Sequence, residues 1–200
     1  MMKYSDELIK KIKEFYPNEK EVLESAKSGN VMLGRYLDEL RSYFPYEFAY
    51  KMLGKDGKFD EERFKTFVNF VEKEHEKFEL YNMWTDEIEK FRAAHPNDLN
   101  TAKMVYSDDL RVGVINMYPE DKTVMHLLNE NNRSLGRYLD EYSSSTYESI
   151  YKFLQNKTKT AEKKFEEIMN KAENAAKSNE IYTLWTKEAE QKENVEEETK

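Results

Sequence analysis

The chain of 200 residues contains no cysteine, only six glycines and only four prolines. Without cysteine there is no disulfide, no thiolate nucleophile and no cysteine-bearing zinc site. No glycine-rich phosphate loop is spelled, and no nucleophile elbow. Long apolar runs are missing as well. Nothing approaches the ~18 apolar residues of a membrane span, and the opening MMKYSDE lacks the apolar stretch of a secretion signal. A cytoplasmic location is therefore the expectation, and the Asn-x-Ser/Thr triplets at Asn132 and Asn156 read as chance matches.

Positive charge is in deficit. Against 32 Lys and Arg stand 40 Asp and Glu, leaving a formal net charge of −8. Such a chain repels phosphate backbones at long range, which disfavours a broad nucleic-acid surface and leaves room for a local basic patch or for an acidic surface that binds a basic protein. What the chain does hold is aromatic. Its 14 tyrosines and 11 phenylalanines argue against disorder and predict a core built largely of rings.

The heptapeptide LGRYLDE occurs twice, at Leu33–Glu39 and at Leu135–Glu141. It is the centre of a longer match. At the same offset Tyr4-Ser5-Asp6 falls on Tyr106-Ser107-Asp108, Tyr16-Pro17 on Tyr118-Pro119, and Asn30 on Asn132. One residue fewer separates the later matches: Tyr46-Glu47 with Tyr147-Glu148, Phe64 with Phe165, and Tyr81, Trp84 and Thr85 with Tyr182, Trp185 and Thr186. A period near 100 residues exceeds that of solenoid repeats. The reading is a tandem duplication: a repeat domain over 1–96, a linker over 97–103, a second repeat domain over 104–190, and a disordered acidic tail over 191–200. Each repeat is expected to bury a core of its own.

Within a repeat the signals are helical. Ser5 is placed as an N-cap, with Asp6 and Glu7 meeting the helix dipole, before Leu8, Ile9, Ile12 and Phe15 at helical spacing. Asn18 is the expected cap of a second helix that stops at Gly29. Asn131 stands in Gly29's place in the second repeat, and Asn is the next best residue for a left-handed end. LGRYLDE opens a third helix, and a fourth ends at Gly54. From Asp60 to about Ala94 there is neither Gly nor Pro, and an apolar stripe predicts one long helix. The second repeat continues the stripe from Ala161 to Ala189, with alanines that admit a close neighbour. The fold class predicted is all-α: two tandem homologous helical domains, each ending in a long amphipathic helix. The surplus length of those helices offers a route to a homodimer.

Leucines and a glycine in LGRYLDE are explained by a core. Charges are not, because charged residues are rarely buried. The candidate partner-binding residues are therefore Arg35, Tyr36, Asp38 and Glu39, with Arg137, Tyr138, Asp140 and Glu141. Trp84 and Trp185 are secondary candidates, as core residues or as exposed aromatic anchors. The histidines, His75, His95 and His126, have no histidine counterpart in the other repeat, so no duplicated catalytic or zinc site uses them. No cofactor, metal or enzymatic reaction is expected. The expected function is a protein-interaction module, an acidic helical adaptor or inhibitor of a larger protein. The alternative is a helix-turn-helix-like nucleic-acid-associated regulator using Arg35, Arg41, Arg133 and Arg137. A small molecule seated against Arg35 and Tyr36 is a third reading.

Overall fold

The computed structural model describes residues 2–40, 44–97, 99 and 102–198, with the backbone alone for residue 44 and for residues 191–198. Arg41 and parts of the expected linker and tail fall outside the described residues. Among those described, every regular element is helical and no strand occurs. No described helix is long and apolar enough to cross a membrane.

The chain divides into two compact units, and the division does not follow the sequence repeats. One unit joins the segment ending at Phe64 to the segment beginning at Lys159. The other is the continuous stretch Lys65–Thr158. The expectation of domains over 1–96 and 104–190 thus differs from what the contacts give. Each unit takes its short helices from one repeat and its long helix from the other.

The first unit holds α1 (Asp6–Phe15), α2 (Lys20–Ser28), α3 (Leu33–Leu40), α4 (Phe44–Leu53) and α10 (Ala161–Glu198). Ser5 caps α1 by accepting from the Leu8 N–H. Leu8 and Ile12, one turn apart, are fully buried with Leu33 and Leu37 of α3 and Ile181 of α10. Gly29 ends α2 at φ 66°, the left-handed conformation that only glycine adopts without cost. α4 runs along the part of α10 where Ala172 and Ala175 are fully buried. Small side chains there let the two backbones come close. The Tyr46 ring meets Lys171 at 5.6 Å, and the Asn179 amide donates to Glu47 at 3.2 Å. Phe59, Phe64 and Phe165 close one end, their centroids 5.4 to 6.1 Å apart, with Phe165 edge-on to both and Phe59 tilted against Phe64.

The second unit contains α5 (Glu61–Ala94, from Lys65 onward), α6 (Asp108–Met117), α7 (Lys122–Asn129), α8 (Leu135–Tyr142), a 3-10 turn (Ser145–Tyr147) and α9 (Glu148–Leu154). Ser107 caps α6 through the Leu110 N–H. Leu110, Val114, Val124, Leu128, Leu135 and Leu139 pack around Leu80 and Ile88 of α5. Asn131 has φ 49°, the one described non-glycine residue with positive φ. The Ser144 hydroxyl caps the 3-10 turn through the Thr146 N–H, while α9 itself has Tyr147 at its N-cap and no side-chain capping bond.

Two local expectations need correction. Asn18 does not cap α2. The N-cap is Glu19, and its side chain makes no capping bond. In the second unit Asp121 at the matching position accepts from the N–H groups of Thr123 and Val124. The extra methylene of Glu19 carries its carboxylate past that geometry. The tail expected to be disordered from residue 191 instead continues α10 to Glu198. Glu, Lys and Gln are strong helix formers, and no glycine or proline interrupts them.

Candidate functional site

The LGRYLDE helices, α3 and α8, split into two faces. Leu33 and Leu37, and Leu135 and Leu139, are fully buried. Between them Gly34 lies against the Trp185 indole, and a Cβ there would sit 2.1 Å from the ring. Gly136 meets Trp84 in the same way, again at 2.1 Å. Each glycine is thus required by a tryptophan from the other repeat. Trp84 and Trp185 are core-packing residues rather than exposed anchors. The Trp84 indole N–H points to the Tyr106 hydroxyl at 3.4 Å, and that hydroxyl donates to the Asn132 carbonyl at 2.7 Å. Tyr4 donates likewise to the Asn30 carbonyl at 2.8 Å.

The opposite face carries charge. Arg35, Asp38 and Glu39 are exposed, as are Arg137, Asp140 and Glu141, while Tyr36 and Tyr138 are half-buried. The Arg35 guanidinium donates to Glu39 at 2.8 Å one turn along the helix, and that hydrogen bond raises its pKa. Arg137 and Glu141 have the same spacing but form no such pair. Identical residues thus make different local contacts, so the ion pair does not by itself account for their identity.

Tyr36, Glu39 and Leu40 of α3 face the start of α2, where Asn18, Glu19, Lys20, Glu21 and Val22 complete an open cleft of about 300 Å³. Three carboxylates and one ammonium line it, so its field favours cations. In the second unit Tyr142 replaces Leu40 and its hydroxyl donates to Asp121 at 3.0 Å. The Val124 N–H, then this hydroxyl and the Thr123 N–H, hold the Asp121 carboxyl below its usual range. The chain matches no family model, no curated protein and no solved structure.

Of the arginines proposed for nucleic acid, Arg133 is exposed but engaged locally. It lies over the Phe91 ring at 5.9 Å and donates to the Leu99 carbonyl at 3.0 Å. Among the described residues no group of three or more His, Asp and Glu gathers as a metal cluster would. The sequence reading missed one titratable cluster. His75 stacks on Tyr151 with centroids 3.6 Å apart, and its Nδ1 lies 2.7 Å from Glu148. Tyr151 and Glu148 match Tyr50 and Glu47, whereas Ala176 matches His75. Setting aside unshared histidines hid a pair in which only the histidine is unshared.

Proposed function

We propose that the chain is a non-enzymatic protein-interaction module that binds a larger protein through the charged faces of its two LGRYLDE helices. One observation carries the reading. Core packing accounts for Leu33, Gly34 and Leu37 and for their counterparts, whereas the Arg, Asp and Glu of both helices are exposed to solvent. Exposed ion pairs contribute little to stability, so retention of all three charged residues in both repeats favours recognition. Arg and Tyr are also the residues that most often anchor interfaces.

The same comparison supports descent of the two halves from one ancestral unit. Ser5 bonds Glu188 and Ser107 bonds Glu87, Tyr4 and Tyr106 bond matching carbonyls, and each tryptophan covers the other repeat's glycine.

Affinity capture from the source lysate tests the function. The bait is the whole chain, and the control bait carries R35A, E39Q, R137A and E141Q. These positions are exposed, so the melting temperature should be unchanged. A protein retained by the first bait and lost from the second is the expected outcome. Equal retention by both baits, or no protein retained while the purified chain turns over a substrate, removes the reading.

A further inference from the structure

The two units differ in one surface that the repeat makes legible. On α6, Val112 is 56% exposed and Ile115 is 44% exposed, and Val105, two residues before the cap, is 76% exposed. The matching residues of the first repeat are Lys10, Lys13 and Lys3, all exposed. The fold therefore tolerates lysine at all three places. In the second unit three ammonium groups have been exchanged for aliphatic side chains in contact with water, with no packing gain to explain them.

Val112 and Ile115 are three apart on one helix, so they share a face, and Asp108 lies one turn before Val112 on the same stripe. Asp109 flanks it, and both carboxylates sit exposed in the first turn. The opposite side of α6 is committed to the core through Leu110 and Val114. Gly113 lets the helix close on Leu80, whose methyl carbon would lie 2.7 Å from an added Cβ. The outer face is thus apolar at its centre and acidic at its N-terminal end, with the half-buried Arg111 at its edge donating to Asn131.

A second copy of this chain is a poor occupant. It would bring together two surfaces of net charge −8. Three aliphatic side chains also fall far short of the roughly 800 Å² per partner that stable dimers bury. A short amphipathic segment suits the face better, with an aliphatic ridge for Val112 and Ile115 and Lys or Arg beside Asp108 and Asp109. We infer that the outer face of α6 docks a basic amphipathic helix of a partner protein. This surface is separate from the LGRYLDE faces, and either can fail without the other.

The probe is a fluorescent Leu/Lys amphipathic peptide of about five helical turns, compared with a Leu/Glu peptide of the same pattern. Binding by anisotropy at fixed salt is measured for the wild-type chain and for V112Q/I115Q, which leaves the charge unaltered. Burial of two aliphatic side chains predicts at least about tenfold weaker binding by the variant. V112K/I115K, which installs the first repeat's residues, should bind no better than V112Q/I115Q. Both variants should melt as the wild type does. The proposal is overturned if the Leu/Lys peptide does not bind the wild-type chain, if V112Q/I115Q binds it equally well, or if the Leu/Glu peptide binds as tightly. It is also overturned if the wild-type chain sediments as a dimer that V112Q/I115Q converts to monomer, which would give the face to a second copy.

Discussion

Tyr118 buries its hydroxyl without a hydrogen-bond partner, and Tyr16, its match in the first repeat, buries its hydroxyl against Ser178. Burial pushes the phenols of Tyr16, Tyr118 and Tyr147 up to about 12. Folding therefore favours the protonated phenol, whose unfolded pKa is about 10. The stability this contributes is complete below pH ~10. It is lost as pH rises toward 12, because the unfolded chain releases these protons first. Alkaline unfolding followed by circular dichroism should show stability falling steeply across that window. Y16F/Y118F should flatten the fall and change stability at pH 7 by no more than about 1 kcal/mol, because the Tyr118 hydroxyl satisfies no partner and the Tyr16 hydroxyl at most Ser178. An unchanged slope in the double variant would show that the decline has another source. The abundance of tyrosine was plain in the sequence. Which tyrosines bury their hydroxyls was not, because burial depends on contacts distant along the chain.

Helix ends were the most legible feature at the scale of elements. Ser5, Ser107, Gly29 and Asn131 do what their chemistry predicts, because a cap or a left-handed turn is decided within a few residues. Asn18 failed because two residues compete for one cap position and the chain begins α2 one residue later. Glu19 and Asp121 have nearly the same backbone, φ −89°, ψ 86° and φ −82°, ψ 97°, yet only Asp121 caps. Shortening the side chain should supply the missing bonds. E19D is expected to stabilise the chain by about 0.5–1 kcal/mol in urea denaturation. The same change would reshape the cleft beside Tyr36, so a partner bound there should respond to it. No gain in stability would mean that the α2 end is satisfied by solvent. The charged half of LGRYLDE was legible as exposed because charge predicts exposure. The apolar face of α6 was legible only in hindsight, from three lysines matched by Val105, Val112 and Ile115.

For the molecule as a whole, periodicity predicted helices correctly but does not say which long helix fills each interior. A stripe on α5 or α10 states that something packs there and is silent about which repeat supplies it. The alignment of Trp84 with Trp185 is equally compatible with each repeat closing on itself or exchanging its long helix. The positions of Gly34 beneath Trp185 and Gly136 beneath Trp84 distinguish the two, as do the bonds of Ser5 to Glu188 and of Ser107 to Glu87. The exchange makes a prediction across the repeats. G34A drives a methyl group into Trp185 and should cost about 1–3 kcal/mol. W185L in the same chain removes the opposing ring carbons, so the two losses should be markedly less than additive. W84L should add its full cost to G34A, because Trp84 covers the other glycine. G136A should behave in mirror image, coupled to W84L and indifferent to W185L. Urea unfolding of the single and double variants measures all four couplings. If G34A couples instead to W84L, each repeat closes on its own long helix in solution and the exchanged arrangement is wrong.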